Sequence, residues 1–278
     1  MSYSQPPPSY SSTNKKGYSA IPQDDPLTNP AAQASGAGRP IDPTEPRQEG
    51  DVDDDDFKYG VTVDQSTAEV RTQFLKKVYS ILFIQLTSTA IVAGVMTTKP
   101  ITAWVQEHQA VFLLPLFGSL VTMGLLFWKR HSHPLNLGLL GLFTLLEAFS
   151  LGAIVSYVDQ IVVLQALVIT GFVFLGLTLF TFQSNWDFSK MGPYLLGALM
   201  LFVGVGFVQI FLPFSKMADL GMAIAGVLIF SLYIVYDTHM ICKRLPSDEW
   251  VLASISLYLD VLNLFISILR ILNNQRED

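Results

Sequence analysis

From residue 78 onward, long apolar runs alternate with short polar breaks. Seven runs stand out, at 78–96, 110–128, 135–157, 161–182, 194–212, 220–242 and 250–272. Each is near the ~20 residues that a helix needs to cross the hydrocarbon core of a bilayer. The breaks carry Pro100, Pro134, Gly192-Pro193, Pro213 and Pro246, which stop helices. This pattern predicts an all-α membrane protein of seven transmembrane helices occupying residues 69–278. Residues 1–68 lack such runs. They are rich in Pro, Ser, Gly, Gln and Asp, and a segment so poor in large apolar residues is expected to be a disordered tail.

The last run is unlike the others. Ser256, Asp260, Asn263, Ser267 and Arg270 recur at steps of four and three, which places them on one face of a helix. A carboxylate facing lipid is too costly to keep, so this seam is expected to face the bundle interior or a water-filled cavity. The third run has its own ridge of Thr144, Ala148, Gly152 and Ser156 at steps of four, where a neighbouring helix can approach closely. Beside it lies Glu147, a candidate intramembrane acid. It reads as a protonated carboxyl hydrogen-bonded between helices in preference to a conducting group.

Composition sharpens the class. Of 278 residues, 50% are hydrophobic and 14% charged, and the mean hydropathy is +0.41. Soluble domains carry about 25% charged residues. The formal net charge of -6 owes much to the tail, where Asp51 and Asp53–Asp56 form an acidic run. Such a run is a solvated linker before it is a cation site. No basic aromatic patch suggests nucleic acid as a partner. The single cysteine, Cys242, excludes an internal disulfide framework and a cysteine metal cluster. No signal-peptide pattern opens the sequence, so the first run is expected to target the chain to its membrane.

Basic residues give an orientation. Arg71, Lys76 and Lys77 precede the first run; Lys129 and Arg130, then Lys190, then Lys243 and Arg244 mark every second break. The alternate breaks hold only Lys99 and Lys216. The excess of Lys and Arg predicts a cytosolic N-terminus. Arg270 and Arg276 near the other end run against the rule, which leaves a re-entrant last segment open. In the tail, Pro7-Pro8-Ser9-Tyr10 fits a WW-domain ligand, because polyproline II is preformed and Tyr fills a pocket; the same residues also fit a Pro-rich spacer.

Asp237 closes the sixth run, in Tyr236-Asp237-Thr238. A rise of ~1.5 Å per residue puts it about 10 Å from the end of its helix at Arg244, and Asp260 about 18 Å from a start at Asp248, with Ser247 as N-cap. A tilt or a longer sixth helix brings the two carboxyls together. Carboxyls forced close in low dielectric cannot both ionise cheaply and titrate as a unit. Such a pair shares a proton, holds a hard divalent cation through oxygen ligands, or accepts an arginine. Arg130 is a candidate counter-charge, although a positive-inside flank explains it equally.

At these residues the chain resembles the transmembrane Bax inhibitor motif family, in its lifeguard branch. The matching stretches are Asp56-Phe57-Lys58-Tyr59, Arg71 to Tyr79, Asn136 to Gly152 with Phe143-Thr-Leu-Leu-Glu147, Tyr236-Asp237-Thr238, and Leu257-Tyr-Leu-Asp260-Val-Leu-Asn263-Leu-Phe265 running on to Leu272. The resemblance implies seven helices, six of them around a central seventh. It implies a non-enzymatic, pH-sensitive calcium leak from an internal store, in the endoplasmic reticulum or a vacuole- or Golgi-type membrane. Calcium is then the transported ion, with no cofactor. Asp237 and Asp260 match the family's pH-sensing, weakly Ca2+-binding pair, and Arg130 the basic residue that latches the pair in bacterial relatives. Ser256, Asn263 and Ser267 support the seam. Suppression of stress-induced cell death, with cell-death regulators as partners, comes with the resemblance alone. A WW-domain ubiquitin ligase is the partner implied by Pro7, Pro8 and Tyr10.

Two other readings stand beside the channel. One is a non-conducting membrane scaffold that binds cell-death regulators. The other is an aspartyl intramembrane protease, since one Asp on each of the last two helices mimics that layout. Here, however, the second Asp sits in Leu257-Tyr-Leu-Asp260 rather than Gly-x-Gly-Asp, and no Pro-Ala-Leu follows.

Overall fold

The computed structural model describes residues 62–108, 113–212 and 215–276. Pro7, Pro8, Tyr10 and the acidic run lie outside the described residues. Eight α-helices run through the described part: α1 (Ala68–Met96), α2 (Lys99–Glu107), α3 (Leu113–Lys129), α4 (Leu135–Val155), α5 (Gln160–Gln183), α6 (Gly192–Phe211), α7 (Lys216–Lys243) and α8 (Trp250–Arg276). Six of them, α1 and α4 to α8, are long and apolar enough to cross a membrane; α3 is a shorter apolar helix.

Two elements depart from the hydropathy pattern. The first helix begins at Ala68, ten residues ahead of the apolar run at 78. Its polar first turns are amphipathic: Val70, Phe74 and Val78 are buried at steps of four while Thr72, Gln73 and Lys76 stay outside. Thr67 caps it, accepting the Val70 N–H at 3.4 Å. The second departure is α2, which occupies what reads as a polar connection. Its nine residues are too few and too mixed to register as a span, yet Pro100 suits its first turn. Its Val105 packs with Met96 and Ala153 in a small cluster of its own, and Trp104 is left about half exposed on the other side.

Burial separates α8 from the rest. In its most apolar stretch 72% of residues are buried, against 6–44% in the other five long helices. It packs on α7, α5 and α1, and Tyr258 reaches α4 with its ring edge-on to Phe143, 6.1 Å between centroids. The outer helices instead turn large apolar side chains outward, among them Phe83, Phe172 and Phe207. An apolar exterior around a buried helix that carries polar groups is the arrangement a bilayer favours.

Close approach depends on small residues. Along α4, Thr144, Ala148 and Gly152 are buried against α1, and Gln85 Nε2 donates to Thr144 Oγ1 at 2.9 Å. A Cβ on Gly152 would overlap the Met96 side chain, whose own Cβ lies 3.2 Å from that position. Between α7 and α8, a Cβ on Gly226 would crowd Ser267, whose Cβ would be 3.1 Å away. Residues 62–67, which composition groups with the tail, lie on the bundle. Val63 is fully buried, its N–H donates to Leu245 O at 3.0 Å, and Thr62 forms an antiparallel bridge with Pro246.

This packing sets an expected outcome. Gly152→Leu and Gly226→Leu should each lose on the order of 1–3 kcal/mol through overpacking, a fall of several degrees in the melting temperature in detergent. Gly138→Leu, whose Cβ would meet no heavy atom within 4 Å, should melt like the parent.

Candidate functional site

The α7 and α8 helices run antiparallel side by side and carry one aspartate each toward the other. Asp260 is buried at 6% exposure, and Asp237 is half-buried. Their carboxyl groups lie close enough to act on each other electrostatically, and the Ser256 hydroxyl, one turn along α8, lies within reach of Asp237. Asp260 Oδ2 is buried and has no hydrogen-bond partner among the described residues. The helix α8 starts at Trp250 and not at a Ser247 cap. Counted from there, Asp260 is about 15 Å along and Asp237 about 9 Å from the end of α7, so the offset shrinks to about one turn.

Two tyrosines, which the sequence reading had not singled out, belong to this site. Tyr233 lies within electrostatic range of both aspartates and Tyr236 of Asp237. Their spacing is the available signal: Tyr233 and Tyr236 precede Asp237 by four residues and one, so Tyr233 and Asp237 share a helical face.

The rest of the polar seam divides. Asn263 Nδ2 donates to Leu259 O and Ser267 Oγ to Asn263 O, both at 2.8 Å, so these side chains close on their own helix. Arg270 pairs with Asp219 of α7 and donates to Gln209 Oε1 of α6 at 3.4 Å. No group of three or more His, Cys, Asp or Glu residues able to hold a metal occurs among the described residues. Two carboxyls and a serine hydroxyl fall short of the six to eight oxygens that calcium takes in a resident site. They fit a cation that passes and keeps much of its water.

Arg130 sits elsewhere. Its Nε is 3.0 Å from Glu249 Oε1, and among the described residues it forms no ion pair with Asp237 or Asp260. The same end of the bundle holds His131 within 3.4 Å of Glu249, and Lys77 Nζ over the Trp250 ring at 3.9 Å. Arg130 therefore ties the end of α3 to the start of α8. Glu147 lies within range of Ser119 of α3 and of Tyr258, and Tyr258 exchanges a hydrogen bond with Thr89 at 2.8 Å. These contacts join α1, α3, α4 and α8 through polar groups in the interior.

A further polar cluster lies two residues beyond Asp237. In the α5–α6 connection Asp187 Oδ1 accepts from the Ser189 hydroxyl at 2.6 Å, the Ser189 N–H at 3.1 Å and His239 Nε2 at 3.1 Å. Arg244 Nη2 reaches its Oδ2 at 3.3 Å. The Ser189 hydroxyl foremost, with the Ser189 N–H, His239 and Arg244, holds the Asp187 carboxyl well below the usual carboxylate range. Only the local Asp187-x-Ser189 turn is visible in the sequence; His239 joins it across 52 residues.

Long apolar helices, one of them buried, and a carboxyl pair shared by two adjacent antiparallel helices define a multi-pass membrane protein with an ionisable interior. The chain belongs to the Bax inhibitor family, lifeguard proteins included. The family described as "Inhibitor of apoptosis-promoting Bax1" matches residues 71–277. The chain is 40% identical to Protein lifeguard 4 of Mus musculus over 220 residues, 79% of this chain and 92% of that protein. It is equally similar, over the same shares, to the Golgi anti-apoptotic protein of Vaccinia virus strain Lister. Bax inhibitor 1 of Schizosaccharomyces pombe is 38% identical over 256 residues, 92% of this chain and 95% of that protein.

The Asp187 cluster generates a test. A carboxyl whose pKa is lowered in the folded state contributes stability above its ordinary value of about 4, and loses it only as pH falls through the lowered value. Asp187 therefore stays ionised from pH 5 to 8, and any pH dependence of this tie in that window comes from His239. Asp187→Ala should raise amide exchange in residues 184–191 about tenfold. In His239→Gln the exchange of that segment, corrected for its intrinsic rate, should be flat from pH 5 to 8.

Proposed function

We propose that this protein is a pH-sensitive calcium leak pathway of an internal membrane, with Asp237 and Asp260 as the shared proton and cation site. The observation that carries the reading is the nearness of the two carboxyls on α7 and α8, close enough to act on each other, one of them buried with an oxygen that lacks a partner. Two ionised carboxylates so placed repel each other in low dielectric, so the site gains by taking up a proton or a cation. A neutral carboxyl is a poor calcium ligand, and protons therefore compete with calcium. Weak binding suits conduction, because an ion held too tightly does not leave.

In this reading α3 and the six long helices all cross, six of them around α8, with the N-terminus in the cytosol and no enzymatic step. Calcium and protons are the cargo, and no resident cofactor is involved. The arginine latch takes a particular form: Arg130, held by Glu249, fixes the start of the helix that carries Asp260. Pro7, Pro8 and Tyr10 offer a cytosolic WW-domain partner, such as a ubiquitin ligase, a hold on the tail. The anti-apoptotic names of the relatives support a role in restraining cell death in an endoplasmic reticulum, Golgi or vacuolar membrane. They equally suit a non-conducting scaffold that binds cell-death regulators.

Calcium flux into liposomes that hold only the purified protein separates the two. The channel reading expects flux that varies with pH in the parent, and loss of that pH response in Asp237→Asn and in Asp260→Asn. The double variant should match either single one, because each change already removes the coupling. Absence of flux at every pH would favour the scaffold, and parent-like pH dependence in both single variants would sink the paired-carboxyl mechanism.

Orientation is tested separately. A cysteine placed at Ser12, in a chain whose Cys242 is replaced by Ser, should react with an impermeant maleimide only from the cytosolic side of oriented vesicles. A cysteine at Lys99 should react only from the opposite side.

A further inference from the structure

The helices around α8 do not close on every side. Between α1 and α5 runs a groove of about 470 Å³ whose floor is α8 itself, at Val261, Leu262 and Phe265. Elsewhere these outer helices shield α8. Here the walls carry small residues, and a Cβ at either Gly94 or Gly171 would meet no heavy atom within 4 Å. At one end Gln160 Nε2 bridges to Thr97 O at 3.1 Å. Thr97 and Gln160 also line a second, polar cavity of about 520 Å³, which holds Lys99 and Asp159. The apolar groove and the charged chamber thus adjoin at Thr97 and Gln160.

We propose that these adjoining cavities bind one phospholipid, with an acyl chain in the groove and its headgroup in the polar chamber. Three features select that occupant. The groove opens sideways between α1 and α5, whose neighbouring outward side chains, Phe83 and Phe172, are more than 70% exposed and apolar; only membrane lipid is abundant there. From Thr97 to Leu86 the α1 wall spans about 16 Å, roughly half the ~30 Å hydrocarbon core, which is the depth of one leaflet. The chamber at the groove mouth carries the pair of charges a zwitterionic headgroup needs. Lys99 suits the phosphate, and Asp159, which also pairs with Arg276 at 3.2 Å, suits the amine. The amphipathic α2, with half-exposed Trp104, lies where aromatic residues mark the membrane interface.

The site has a consequence for the interior. Val261 and Leu262 follow Asp260 directly. A chain in the groove packs on the helix that positions the carboxyl and adds dispersion contacts to Val261, Leu262 and Phe265, which are each 6–7% exposed.

Photo-crosslinking tests the proposal on the full chain reconstituted in vesicles doped with phosphatidylcholine that bears a diazirine midway along one acyl chain. Annular lipid reaches Phe83 and Phe172 but not the floor of the groove, so label on residues 261–265 reports a lipid inside. Mass spectrometry should find it there in the parent. The double variant Gly94→Leu/Gly171→Leu adds side chains from both walls at positions where a Cβ has open space; it should lower the α8 label about tenfold and leave the Phe83 label unchanged. Lys99→Gln should lower the α8 label from phosphatidylcholine but not from a diazirine diacylglycerol of the same chain. No label on 261–265 in the parent, or an undiminished one in the double variant, would overturn the proposal. Phosphatidylcholine labelling unaffected by Lys99→Gln, or lost equally with both probes, would overturn the headgroup assignment.

Discussion

A carboxyl buried in a membrane helix governs this architecture. Asp260 sits at 6% exposure in a mostly apolar helix, between Leu259 and Val261. Such a group is tolerated only inside a shell that keeps it from lipid and gives it something to interact with. Every long helix in contact with α8 supplies part of that shell. The α7 helix brings Asp237 and Tyr233, α1 brings Thr89 to Tyr258, and α5 and α1 flank the groove. Because α8 is buried along its length, its position is set by packing on several sides, and the carboxyl has little freedom to turn away from its partner.

Polar contacts at the two ends hold α8 in depth. At its start Glu249 engages Arg130 and His131, and Trp250 carries Lys77 over its ring. At its far end Arg270 pairs with Asp219 and Arg276 with Asp159. Partly exposed ion pairs of this kind are each weak in energy. Their geometric effect is larger, since a slide of α8 by one turn would break both sets and move Asp260 past Asp237. The backbone bridge from Thr62 and Val63 to Leu245 and Pro246 fastens the turn between α7 and α8 as well.

What the sequence makes legible follows from the range of each interaction. Helical period and hydropathy are local, so the long helices, the seam on α8 and the small-residue ridge on α4 are all visible in the chain. The nearness of Asp237 and Asp260 is visible only to within a turn or two, because it depends on where α8 starts, and Trp250 replaces the Ser247 cap that local preference suggests. Arg130 is recognisable as a basic residue at a helix end, but its partner Glu249 is chosen by the three-dimensional path of the α7–α8 turn. The union of Asp187 with His239 across 52 residues, and the gap between α1 and α5, have no local signature at all. The short α2 falls between the two regimes, being too brief for a hydropathy signal and anchored mainly by Val105.

The placement of polar groups along α7 separates two kinds of chemistry only two residues apart. Asp237 faces α8 and shares its environment with another acid. His239, nearly fully buried, faces the α5–α6 connection and finds an acid already neutralised in part by Ser189 and Arg244. A helix advances ~100° per residue, so two residues carry a side chain to nearly the opposite face. The same helix therefore presents one group to the interior pair and one to the surface connection. A change in the charge of His239 acts on Asp187 through a direct hydrogen bond, and on Asp237 through space and through the helix that both share. Coupling between the surface connection and the carboxyl pair therefore has a route along α7, which approaches α8 closely where Gly226 faces Ser267.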